Sequence, residues 1–98
     1  MSYLVQKQRL IKLNRIFDNN EYFTMATSTD SGCINQYNML ACSKTVEIYA
    51  YIYKHPELVD KLFDSDNYKT HNTIKIMIES MIKQKLTAAQ ICKQILES

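Results

Sequence analysis

Cys33, Cys42, Cys92, His55 and His71 are the side chains of this sequence whose chemistry best suits metal binding or nucleophilic attack. Zinc asks for ligands in close-spaced pairs, such as C-x2-C or H-x3-H, so that one local turn aligns two of them. Here neighbouring candidates stand nine or more residues apart, and no pair is pre-aligned. A cysteine nucleophile needs a cation to lower its pKa and a base held beside it. Cys42 and His55 meet only if tertiary structure brings them together, and no nucleophile elbow marks either. The simpler reading is sheltered thiols and surface histidines. No metal, cofactor or catalytic residue is indicated, and the chain is expected not to be an enzyme.

Two other motifs end the same way. Asp64-Ser65-Asp66 opens like a calcium loop, which then requires an oxygen ligand, a glycine and a distal glutamate. Those positions hold Tyr68, Lys69 and Lys75, so the segment reads as a solvated turn. Gly32 is the single glycine, which leaves no Gly-rich loop to cradle a phosphate.

Binding chemistry has more to work with. Tyr49, Tyr51 and Tyr53 fall within five residues of one another in a chain with seven tyrosines and no tryptophan. On a helix, alternate positions fan over about 200°, so a small bundle cannot bury all three rings. Exposed tyrosine offers a large, rigid contact with a polar tip, as protein interfaces use. The competing reading has each ring half-covering the core with its hydroxyl in water. The expected contact surface is Tyr49, Tyr51 and Tyr53, with Tyr37 and His55 at its margins. A second surface is electrostatic: Lys7, Arg9, Lys12 and Arg15 face only Asp18 across the first eighteen residues. A basic helix face can neutralise phosphates. However, Glu57, Asp60, Asp64 and Asp66 form an acidic stretch elsewhere, and Tyr3 and Phe17 lie opposite the cations instead of interleaving with them. Nucleic-acid binding is therefore the alternative, not the leading expectation.

The elements that must position these residues are legible in the apolar spacing. Ser2 to Asp18 reads as an amphipathic helix with Tyr3, Leu10, Leu13 and Phe17 inward, stopped by Asn19-Asn20. Glu21 to Gln36 reads as a connection, partly extended, with a turn at Thr29–Gly32. Tyr37 to Lys54 presents Met39, Cys42, Val46, Tyr49 and Tyr53 at helical spacing, although its β-branched and aromatic content also suits a strand. Its eighteen-residue length without a turn residue favours the helix. Pro56 to Phe63 reads as a short helix begun by proline. Ile74, Met77, Ile78, Met81 and Ile82 mark another over about Asn72 to Lys85. Thr87 and Gln90 match a capping box, with Leu86 and Ile91 as its hydrophobic staple, ahead of a last helix from Ala88 to Glu97. The stripe 74, 78, 81 continued by 88, 92 and 95 is a candidate dimer seam, with core as its commoner fate.

These elements predict one all-α domain over residues 1–98, a compact bundle of about five short helices. The alternative is an α+β fold with strands near 21–28 and 45–53. A length of 98 residues suits one domain, and 46% hydrophobic with 22% charged content suits a globule. A net charge of +2 does not demand a nucleic-acid or membrane partner. The start of the chain lacks a signal-peptide apolar core, and the longest apolar run, 48–53, is far short of a membrane span. Three cysteines cannot all pair, which suggests reduced thiols and a cytoplasmic or host-intracellular setting. Richness in Ile, Lys, Asn and Tyr suggests an AT-rich viral, phage or microbial genome. The expectation is a small accessory or regulatory protein, inhibitors included, that acts by binding a protein partner or itself, a homodimer being the simplest case.

Overall fold

A computed structural model of the chain describes residues 3–27, 35–63 and 67–97. These form six α-helices: α1 Tyr3–Asp18, α2 Glu21–Thr27, α3 Gln36–Lys54, α4 Leu58–Leu62, α5 Asn67–Gln84 and α6 Ala88–Glu97. The all-α bundle is as expected, and no described residue lies in a strand. The strand alternative is corrected at both places. Residues 21–27 are α2, and 45–53 lie inside α3. The turn at Thr29–Gly32, Cys33 and the Asp64–Asp66 stretch fall outside the described residues.

Side-chain caps explain several boundaries. Asn20 Oδ1 accepts from the backbone N–H groups of Tyr22 and Phe23, both at 3.0 Å. Asn20 therefore starts α2 as well as ending α1, where its own N–H bonds to the Phe17 carbonyl. Asn35 Oδ1 likewise accepts from Asn38 N at 2.7 Å and starts α3. Three of the four β-branched residues of α3, Thr45, Ile48 and Ile52, pack on its inner side. Ala41, Cys42, Thr45, Ile48 and Ile52 are buried, and Thr45 satisfies its hydroxyl on the Ala41 carbonyl at 2.7 Å. His55 closes the helix, donating its N–H to the Ile52 and Tyr51 carbonyls. Pro56 and Glu57 then form a turn, and α4 begins two residues later than its proline suggests.

The C-terminal third matches its sequence pattern most closely. Ile74, Met77, Ile78 and Met81 are buried on α5. Thr87 Oγ1 accepts from Gln90 N at 3.2 Å while Gln90 Oε1 accepts from Thr87 N at 2.9 Å. Leu86 and Ile91 join the same apolar cluster, as a staple requires. The candidate seam is core: Ile74, Ile78, Met81, Ala88 and Cys92 are buried and Ile95 packs against them.

Between α5 and α6 the chain reverses at Lys85, which has φ 56°. The Leu86 N–H reaches back to the Met81 carbonyl at 3.1 Å, the bond that caps a helix through a left-handed residue. A side chain at that φ costs about 1 kcal/mol that glycine avoids. Lys85→Gly is accordingly expected to raise stability by about 0.5–1 kcal/mol. Urea denaturation checks this, and a loss of stability would contradict it.

Phe17 is fully buried. Its ring meets Phe23, Tyr49 and Phe63 edge-on, with centroids 5.6, 5.4 and 6.3 Å away. One ring thus joins α1 to α2, α3 and the end of α4. The radius of gyration, 13.4 Å, is close to that of a single folded unit of this length. The α1 stripe runs off the end of this core: Leu13 and Phe17 are buried, but Tyr3 is 81% exposed.

Candidate functional site

Helix α3 packs against α1, α2, α5 and α6, so one flank of it is committed to the fold. The buried stripe is Ala41, Thr45, Ile48 and Ile52. This corrects the expected inward face in part. Cys42 is buried and Tyr49 half-buried, but Met39, Val46 and Tyr53 are 61%, 40% and 50% exposed. The helix carries a buried stripe that includes a threonine and an uncharged outer stripe that includes Met39, Val46 and Tyr53, so hydropathy alone does not tell which faces inward.

The exposed stripe comprises Gln36, Met39, Ser43, Val46, Ala50 and Tyr53. It contains no charged residue, although 22% of the chain is charged. Beside it, Glu47, Ala50, Tyr51 and Lys54 of α3 face Thr87, Ala88 and Ala89 across a shallow groove of about 310 Å³. The floor is small-residue and mainly apolar. Lys44 Nζ pairs with Glu47 Oε2 at 3.5 Å within the helix.

The structure divides the five residues expected to form one contact surface. Tyr49 faces α1 and α2: its ring packs on Phe17 and Phe23, and its hydroxyl donates to Asn14 Oδ1. Burial, then the neighbouring Tyr53 and Asp18, push its pKa up. Tyr51 lies on the opposite flank, its ring 4.7 Å from that of His55. His55 Nδ1 stands 3.9 Å from Glu57 Oε1. Of the three clustered tyrosines, Tyr53 is the exposed one, its ring 6.0 Å from that of Tyr49. Tyr37 sits apart from these, at the start of α3. It lines a cleft of about 350 Å³ with Tyr22, His71, Lys75 and Glu79. Burial, then Tyr37 and Glu21, raise the Tyr22 pKa there. Met39, Ser43, Val46 and Ala50 were missed as surface residues, although their alternating three- and four-residue steps are visible in the sequence.

The four cations of the alternative surface also separate. Arg9 binds Asp60 through two nitrogens, at 2.6 and 2.7 Å. Lys12 Nζ reaches the Phe63 carbonyl at 3.5 Å. Both therefore tie α1 to α4, while Lys7 and Arg15 are exposed. A face with half its cations engaged inside the fold is a weaker phosphate binder than its formal charge suggests.

Cys42 and His55 lie thirteen positions apart along one helix and its cap, about 20 Å at helical rise, and form no dyad. Cys42 and Cys92 are both buried. Burial pushes the Cys92 thiol up to about 11 and raises that of Cys42. At pH 8 both stay protonated, so in a Cys33→Ser variant the folded protein is expected to react with a maleimide far more slowly than the unfolded chain. Equal rates would contradict the burial. Among the described residues, no three His, Cys, Asp or Glu side chains converge on a common point, and no helix is long and apolar enough to cross a membrane.

Compared with known proteins, the chain matches no family model, and no curated protein or solved structure is significantly similar to it.

Proposed function

We propose that this chain is a small, non-enzymatic protein-interaction module whose contact surface is the outer face of α3. The observation that carries the reading is the uncharged stripe from Gln36 to Tyr53 on a helix whose other side is packed. Exposed helix faces normally carry charge, which keeps them solvated. An uncharged line five turns long, with Met39, Val46, Ala50 and Tyr53 exposed along it, is poorly solvated and is of use when a partner covers it. Tyr53 supplies the aromatic anchor of such a surface, and the groove beside Ala50 supplies a recess. In this reading Tyr53 is the contact residue of its cluster, while Tyr49 and Tyr51 hold the helix in place.

The module acts by occupancy, as accessory, regulatory and inhibitory proteins do, and its residue usage fits a viral, phage or microbial source. Its odd number of cysteines fits a reducing, cytoplasmic compartment. A photoreactive phenylalanine analogue at position 46, compared with one at the exposed Lys93 of α6, tests the surface directly. The expected result is crosslinking to protein at 46 and little at 93. Equal labelling, or none at 46, would contradict the reading.

A further inference from the structure

We infer that the occupant of the α3 outer face is a second copy of this chain, docked antiparallel across a two-fold axis level with positions 44 and 45. This rests on the reading of that face as a protein-binding surface and adds the partner and its register. Gln36, Met39, Ser43, Val46, Ala50 and Tyr53 follow one another at steps of three, four, three, four and three. That mean period of about 3.5 keeps a seam turned toward one partner helix over its whole length.

The stripe is complementary to itself when reversed. Bulky Met39, Val46 and Tyr53 alternate with small or flexible Gln36, Ser43 and Ala50. In the antiparallel register, Met39 meets Ala50 of the second copy, Val46 meets Ser43, and Tyr53 meets Gln36. Each layer then holds one large and one smaller side chain. A parallel pair would instead set Tyr53 on Tyr53 and Ser43 on Ser43, alternating crowded layers with gaps, and gaps lose contact energy outright.

Charge selects this register from its neighbours. Leu40, Glu47 and Lys54 form the row beside the seam. Sliding by one heptad toward the α3 C-terminus brings Glu47 beside Glu47 of the second copy, a like-charge contact that interfaces avoid. Sliding the other way leaves Tyr53 uncovered. In the register inferred here Glu47 faces Leu40, and its own charge is met by Lys44 within the helix. The exposed Leu40 of each copy then lies at the mouth of the other's groove beside Ala50, where Ala88 and Ala89 leave room for it. Two such contacts arise together, because the two-fold repeats each.

Overlap of 36–53 with its counterpart spans about 27 Å of helix. A single helix pair with two groove contacts is smaller than a standard interface of roughly 800 Å² per partner. The dimer is therefore reversible, and its mass depends on concentration.

The test is a charge exchange. Ser43→Lys and Val46→Asp are made separately, and far-UV circular dichroism confirms that each folds. Each alone is expected to self-associate at least ~tenfold more weakly than the parent, since each presses a charge into a layer where the facing residue, Val46 or Ser43, offers no opposite charge. Mixed in equal amounts they should form a heterodimer, because position 43 of one copy faces position 46 of the other. Ala50→Lys mixed with Met39→Asp reads the same register from the adjacent layer. Sedimentation equilibrium and native mass spectrometry supply the masses. Undiminished self-association of the single variants, or failure of both mixtures to recover a dimer, would overturn the register. A parent chain that stays monomeric would overturn the second copy as occupant. The photocrosslink at position 46 would still report separately on the surface itself.

Discussion

Phe17→Ala is expected to lower the unfolding free energy by about 3–5 kcal/mol, the usual cost of removing a buried aromatic ring. The ring is fully buried, and it touches Phe23, Tyr49 and Phe63 from three other segments. Such edge-on pairs add about 0.5–1.5 kcal/mol each to what area burial supplies. Its loss leaves a cavity where α1, α2, α3 and the end of α4 meet, and α2 has no fully buried residue of its own to hold it. A domain of this size holds roughly 5–15 kcal/mol in total. The variant should thus unfold at a much lower urea concentration, with the near-ultraviolet signal of the tyrosines weakened in the native baseline. A loss below about 1 kcal/mol would contradict the burial of this ring among its three aromatic neighbours.

Val46→Asp is expected to have the opposite profile: assembly lost and the fold intact. Val46 is 40% exposed and lies on the α3 face directed away from Ala41, Thr45, Ile48 and Ile52. Valine and aspartate have similar helix propensities, so the monomer should change by no more than about 0.5 kcal/mol. In the dimer, the carboxylate would be pressed into the layer occupied by Ser43 of the second copy with no cation to meet it. Burying an unpaired charge costs more than a marginal interface can spare. Thermal denaturation at low concentration, where the parent is already monomeric, isolates the first effect, and solution mass at high concentration isolates the second. A large drop in stability would return Val46 to the core.

How far the sequence alone leads can be seen element by element. For α5 and α6 it leads most of the way. Their apolar stripes carry few competing letters, and the Thr87–Gln90 box is a local motif whose geometry depends on four residues. For α2 it stops short, because Asn20 was legible as the end of one helix but not as the cap of the next, with Glu21 in its first turn. For α3 the period was legible and the phase was not. Two uncharged stripes share that helix, and which one faces inward is decided by where α1, α2, α5 and α6 come to rest. Those placements depend on contacts distant in sequence, such as Tyr49 with Asn14 and Arg9 with Asp60. The same distance explains the contact surface. The tyrosine cluster was visible as composition, but its division into packed Tyr49 and Tyr51 and open Tyr53 follows from the neighbours of α3.

Sedimentation equilibrium of the parent chain over a hundredfold range of concentration tests the central claim most directly. Occupation of the α3 face by a second copy predicts an average mass that rises from the 11.5 kDa of one chain toward twice that value. The midpoint should move to higher concentration with Val46→Asp and stay in place with a substitution at Lys93. A mass fixed at 11.5 kDa across the whole range would contradict it.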